Sequence, residues 1–387
     1  MIDYRAQGLL PEKPHTVHRG PDGALFYEEC FTRDGFDGPF SILYHRNPPQ
    51  FHGDGTLVAP LFPPRVEAVV QSDTPLRRRH VDSSNAPQTG GPVTGRLPLM
   101  FNGDVTVGVV KPTPSDDFLF ANGDGDELLY IQAGGGALLS PYGRLEFGPR
   151  DYVVIPRAVP HRFELAPGAQ HWLWLELRSG LRTPTQYRNP LGQLRMDAPY
   201  THRDFRSPVL DGLSVPDRRV VTKRQDRFTA HDYPAPVCDL VGWDGTVYPF
   251  VFPILRFSPK IGQVHLPPTV HGTFATRGSL VCSFVPRAVD FHPNAIPCPY
   301  PHSNVDVDEV IFYCDGDFTS RRGVHAGSLS LHPAGCPHGP HPGSYERSIG
   351  SRETRELAVM LDTFEPLRVT PQGLALEVAG YDESWFG

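Results

Sequence analysis

The chain of 387 residues contains no run of 18 apolar residues, so no membrane-spanning helix is expected. It also lacks an excess of positive charge. The net charge is -7 and the isoelectric point about 6.2. That balance excludes a general electrostatic attraction to nucleic acid or to an anionic membrane. Its six cysteines (Cys30, Cys238, Cys282, Cys298, Cys314 and Cys336) form no CxxC pair, which argues against a zinc ribbon. They read as reduced thiols, mostly buried, of a cytosolic protein. The N-terminus has no basic segment followed by an apolar one, so no secretory signal is expected. No long stretch keeps a helical period, which argues against a helical bundle.

Turn formers are plentiful instead. Gly 38 and Pro 43 together make about a fifth of the chain. With 39% hydrophobic and 20% charged residues, that density suits many short strands rather than disorder. Strand signals bounded by turn residues occur at Val66–Val70, Val105–Val110, Glu127–Gln132, Tyr152–Ile155 and Trp172–Leu177. They resume at Phe250–Phe257, Leu280–Val285, Glu309–Cys314, Ser328–Leu331 and Leu357–Asp362. The expected organisation is all-β with two domains. Residues 1–65 form an arm or edge hairpins, 66–200 a first domain, 201–240 a polar connection and 241–387 a second domain. The basic run Leu76–His80 reads as a solvated loop.

An internal repeat supports two domains. The first copy runs Asn122-x4-Glu127-x6-Gly134, then Pro156-x4-His161. The second runs Asn304-x4-Glu309-x6-Gly316, then Pro333-x4-His338. The pattern resembles the two cupin motifs, so the chain looks like a bicupin. The resemblance implies two jelly-roll β-barrels with few short helices.

The second copy carries His302 two residues before Asn304. In a cupin, His302, Glu309 and His338 would converge on the barrel interior. Two imidazoles and one carboxylate with open positions suit non-haem Fe(II). Asp308 is the rival carboxylate. Strand alternation turns Asp308 and Glu309 to opposite faces, and the repeat spacing favours Glu309. The first copy has Phe120 in place of His302, leaving Glu127 and His161. Two ligands seldom hold a catalytic metal, so the first barrel is expected to carry none.

Gly242-Trp-Asp-Gly-Thr-Val-Tyr-Pro, Val264-His265-Leu-Pro-Pro268, Pro299-Tyr-Pro-His302-Ser-Asn304 and Gly327-Ser-Leu-Ser-Leu-His332-Pro-Ala-Gly-Cys-Pro-His338-Gly-Pro340 resemble the homogentisate 1,2-dioxygenase family. The likeness is clear over about residues 240–350 and much weaker over the first 200. It implies an Fe(II) enzyme that opens homogentisate, or a close hydroquinone-type aromatic, with O2, giving maleylacetoacetate or its analogue. It implies iron ligands His302, Glu309 and His338, an acid/base at His265, a second pocket histidine at His332, and Asn304 near the substrate. The family also implies a homo-oligomer (dimer, trimer or hexamer), and the N-terminal arm could wrap a neighbour. The expected partners are therefore an aromatic small molecule and O2, with no nucleic acid and no membrane.

Where the family carries a basic residue and a tyrosine after the glutamate, this chain has Asp315 and Phe318. Both changes would weaken recognition of a substrate carboxylate or hydroxyl if those side chains face the pocket. Tyr300 and Phe318 are aromatic candidates for a substrate ring, with packing the alternative for Tyr300. His341 is a pocket candidate, with a surface turn the alternative. His271 could share a face with His265, but Pro267 and Pro268 break the strand, which favours His265 alone. The other readings are an Fe(II) dioxygenase for a different aromatic acid or phenol, and a non-catalytic bicupin that binds a small ligand.

Overall fold

A computed structural model describes residues 3–68, 75–211, 216–318 and 320–386. The chain is an all-β bicupin. Among the described residues its only α-helices are Ser344–Ser348 and Pro371–Ala375, five residues each. None is long and apolar enough to cross a membrane.

The first barrel is built on a seven-stranded antiparallel sheet. Its order is Phe250–Pro253, Asp151–Ile155, Asp126–Ala133, His171–Leu177, Val105–Val110, Leu97–Phe101 and Arg368–Val369. The Val and Trp residues of these strands, and every Leu except the half-buried Leu97, are buried, because a second layer covers the sheet. One part of that layer pairs Leu119–Asn122 with the hairpin Arg219–Arg224 and Arg227–Asp232. The other part is Gly136–Ser140 between Gly143–Phe147 and Arg162–Leu165.

The second barrel rests on a six-stranded sheet. Its order is Gly272–Ala275, Ser279–Phe284, Leu357–Thr363, Asp308–Asp315, Ser328–His332 and Arg79–Asp82. The two barrels share one hydrophobic core. At their contact the Tyr152 hydroxyl lies 2.9 Å from Ser283 Oγ, and Gln132 Nε2 donates to the Cys314 carbonyl at 2.8 Å.

Strand exchange crosses the expected boundaries. Arg79–Asp82 precedes the first barrel in sequence yet closes the second, while Phe250–Pro253 does the reverse. The run expected as a solvated loop is therefore partly a strand. Arg77 and Arg79 both bind Glu377, and Arg78 lies 4.0 Å over the Trp385 ring. The N-terminal segment forms a four-stranded sheet: Arg5–Gly8, Leu240–Gly245, Phe40–His45 and Tyr27–Thr32. The expected polar connection holds the Arg219–Asp232 hairpin. Its turn places Gln225 and Asp226 at φ +51° and +57°, without the Asn-Gly or Asp-Gly signal that marks such turns. Of the strand expected at Val66–Val70, residues 66–68 lie outside any strand and 69–70 outside the described residues.

Candidate metal centre and pocket

Alternation along Asp308–Asp315 separates the two acidic residues at its start. Asp308 accepts the Ala334 and Leu367 amides, both at 2.7 Å. Glu309 faces the other way, toward three imidazoles. His302 and His338 come from loops joined by a reciprocal backbone bridge, with N–H to O distances of 2.8 and 2.9 Å. Each ring donates Nδ1–H to the carbonyl two residues before it: Tyr300 at 3.3 Å and Cys336 at 3.0 Å. That fixes the tautomer and leaves each Nε2 as a lone-pair donor. His302 Nε2 lies 4.0 Å from one Glu309 oxygen, and His338 Nε2 lies 3.7 Å from the other.

The donor atoms of His302, Glu309 and His338 all fall within 4.8 Å of one another. His338 Nε2 is buried without a hydrogen-bond partner. A buried orphan acceptor beside a carboxylate and a second imidazole fits a bound divalent metal.

His332 sits directly opposite Glu309 in the sheet, with Nδ1 2.8 Å from its Oε1. The ring is fully buried and stacks on His338 at 4.7 Å. It braces Glu309 from behind and does not line the cavity described next. Burial raises the Glu309 pKa, but the His332 hydrogen bond and the neighbouring imidazoles outweigh it and hold the carboxyl down at about 2. Burial pushes His332 down to about 4. Asp362, opposite Glu309 on the other side, escaped sequence reasoning. Its Oδ1 is buried and unpartnered. Burial, then the charge of Glu309, lifts its pKa to about 7.

A cavity of about 90 Å³ opens beside His302 and Glu309. His265, Tyr300 and Phe318 line it, as does His271. The expectation of His265 alone is corrected here. Pro268 opens a short 3-10 turn, Pro268–His271, that folds His271 back onto the same wall. Burial pushes His271 down to about 3.

Two residues expected near a substrate lie elsewhere. Asn304 is outside the cavity wall, and its carbonyl accepts the Gly335 amide at 2.7 Å. His341 is neither in the cavity nor on the surface. It stacks on Trp385 at 3.8 Å and bonds Ser384 Oγ at 2.7 Å, clamping the C-terminal segment. Asp315 is exposed and paired with Arg150 at 2.6 Å, away from the cavity. The cations on the wall are Arg287 and Arg321. Arg321 donates to the Gly339 carbonyl at 2.6 Å, and its Nε is buried without a partner. Neither arginine lies in a motif, so no spacing pointed to them.

The matching position of the first barrel is filled by protein. Arg96 forms a bidentate pair with Glu127, at 2.5 and 2.8 Å. Both side chains are fully buried, and Phe120 and Trp174 flank the guanidinium. Nearby, Asp124, Glu176 and Asp226 converge in the manner of metal ligands, but the Lys223 ammonium occupies their centre at 2.8, 2.7 and 3.0 Å.

A family model described as homogentisate 1,2-dioxygenase N-terminal matches residues 108–254. Over its whole length the chain is 34% identical to "Putative dioxygenase SSO1533" of Saccharolobus solfataricus, with 100% of both proteins covered. The chain belongs to the homogentisate 1,2-dioxygenase family. The family model covers mainly the first barrel, where the motif likeness is weakest. The homogentisate 1,2-dioxygenase of Rhodopseudomonas palustris BisA53 is 28% identical over 70% of this chain and 63% of that protein. That of strain HaA2 is 26% identical over 94% of this chain and 86% of that protein. Among solved structures, a cupin 2 conserved barrel domain protein from Leptotrichia buccalis aligns with TM-score 0.35 and 8% identity, over 78% of this chain and 100% of that one.

Proposed function

We propose that this family member is an Fe(II)-dependent, ring-cleaving dioxygenase. Its substrate is homogentisate or a close 2,5-dihydroxyaryl acid, and its product maleylacetoacetate or the corresponding analogue. The observation that carries this reading is the meeting of His302, Glu309 and His338 beside a cavity that also holds His265, Arg321 and Tyr300. His302, Glu309 and His338 would hold Fe(II), which would supply the activation of O2 for attack on an aromatic ring.

The chain's own residues do the rest. His265 Nε2 accepts the proton that a ring hydroxyl loses. Arg321 and Arg287 hold the substrate carboxylate through charge-assisted hydrogen bonds. Tyr300 and Phe318 flank the ring, while Ile311 and Met360 keep the wall apolar and exclude water. His332 keeps the Glu309 carboxylate in place. The six free thiols suit a reducing compartment, the cytoplasm.

The test is O2 uptake by anaerobically Fe(II)-loaded protein, first with homogentisate and then with other hydroquinone acids. Uptake matched one-to-one by a ring-opened product is expected. No uptake with any of them, despite one bound iron per chain, overturns the reading.

A further inference from the structure

The wall of the cavity that carries His265 is pinned from behind. The amides of Phe291 and His292 bond the carbonyls of Gly262 and Gln263 at 3.2 and 2.7 Å. That pairing lays Asp290 alongside His265, and Asp290 Oδ2 comes to 3.3 Å from His265 Nδ1. The Asp290 side chain is only 11% exposed and that of His265 only 26%. The other ring nitrogen, Nε2, has no hydrogen-bond partner among the described residues. The ring meets Tyr300 edge-on at 4.9 Å. Besides Asp290, the charged or titratable groups that share this wall include His271, Tyr300, Arg321, and Arg287 with its partner Glu356.

We infer that Asp290 is a positioning residue that holds His265 as the Nδ1–H tautomer and thereby makes Nε2 the proton acceptor of the cavity. A carboxylate against one imidazole nitrogen fixes which nitrogen carries the proton and stabilises the cation formed when the other nitrogen is protonated. In the step proposed above, the O–H bond of a ring hydroxyl breaks and its electron pair stays on oxygen. The proton goes to Nε2, and Nδ1–H continues to donate to Asp290. No oxidant or reductant is needed for that transfer. The inference rests on the proposed function for its catalytic meaning, but the tautomer itself can be read without substrate.

Two measurements test it. In histidine-15N-labelled protein, with His265→Gln used for assignment, His265 should show a protonated Nδ1 at neutral pH. In Asp290→Asn the Nδ1–H form should no longer be the single tautomer, since the charged acceptor is gone. In turnover, Asp290→Asn should lower kcat about a hundredfold and leave KM within about twofold. Asp290→Glu should recover much of kcat, which a merely structural role would not produce. A His265 tautomer unchanged in Asp290→Asn overturns the inference, whatever the substrate. If the wild-type chain turns over no hydroquinone acid, the functional reading fails, and the spectra decide the positioning role by themselves.

Discussion

The two barrels carry the same frame and fill it differently. In both, a backbone bridge ties down the motif histidine: Phe120 with His161, and His302 with His338. In both, the histidine Nδ1 lies about one hydrogen bond from the carbonyl two residues back, at 2.9 and 3.0 Å. In both, the motif glutamate faces a second acidic residue across the sheet, Glu176 in one and Asp362 in the other. The first barrel neutralises its two carboxylates with its own cations. Arg96 pairs with Glu127, Lys223 with Glu176, and Asn122 bridges both glutamates at 2.8 Å. The second barrel brings no such fixed cation into salt-bridge contact among the described residues. Its glutamate has only imidazoles, and its aspartate has an unpartnered oxygen. A buried charge has to be compensated. One barrel does so with arginine and lysine and becomes a framework, whereas the other sets its glutamate against imidazoles, the donor types that bind a divalent metal.

The sharpest way to break the comparison is to give the second barrel the first one's residue. His302→Phe should bring bound iron from one per chain to near zero and abolish turnover. Because His302 is partly exposed, apo stability should change by about 1 kcal/mol or less. Metal analysis and denaturant titration check both arms. Retention of one iron per chain would refute the ligand assignment.

The reverse operation acts on stability. Arg96→Met leaves Glu127 charged, buried and unpaired, which costs about 3–5 kcal/mol. Adding Glu127→Gln should recover much of that loss, because the stranded charge is then removed. Metal uptake by the second barrel should be unaffected. A loss below about 1 kcal/mol in urea unfolding would mean that the guanidinium does not stand in for a cation.

A smaller effect concerns the substrate end of the cavity. If Arg321 holds the carboxylate, Arg321→Met removes a charge-assisted hydrogen bond of about 1.5–3 kcal/mol. KM for a hydroquinone acid should rise about tenfold to a hundredfold, with kcat within about threefold. A neutral hydroquinone should not discriminate between variant and parent. Equal loss for both substrates would assign Arg321 to the scaffold instead.

These residues differ in how far the sequence exposes them. The repeat and the period of two were enough to bring His302, Glu309 and His338 together and to turn Asp308 away, because both signals are local. Arg96 was not legible. It reaches Glu127 from the loop Gly91-Pro-Val-Thr-Gly-Arg96, and only the folded barrel makes them neighbours. Arg321 and Asp290 lie outside strand periodicity for the same reason. Lys223 lies in a strand with only two apolar residues, Val220 and Val221, so the hairpin that holds it reads as a polar connection from sequence, and only its three carboxylates explain the lysine. Arg79 and His80, in the run read as a loop, are strand instead, and their partner strand, Ser328–His332, lies some 250 residues ahead.

The finest test of the comparison is the second acidic residue. Asp362 has an ordinary value of 3.8, raised to about 7 by burial and then by Glu309. The folded apo chain therefore holds that proton more tightly than the unfolded chain does. Below pH 3.8 both states are protonated and Asp362 costs nothing. As pH rises from about 4 to 7 the unfolded state ionises first, so stability falls, and it stays low above 7. Asp362→Asn removes that dependence. The variant should match the parent near pH 4 and exceed it by on the order of 1 kcal/mol at pH 8. Metal loading of the parent should narrow the gap, since a bound cation offsets the carboxylates. The equivalent change in the first barrel, Glu176→Gln, should have the opposite sign, because it takes a carboxylate from Lys223. If both substitutions destabilised alike in apo protein at pH 8, the two barrels would not differ in charge compensation, and the case for a cation at the second would rest on its histidines alone.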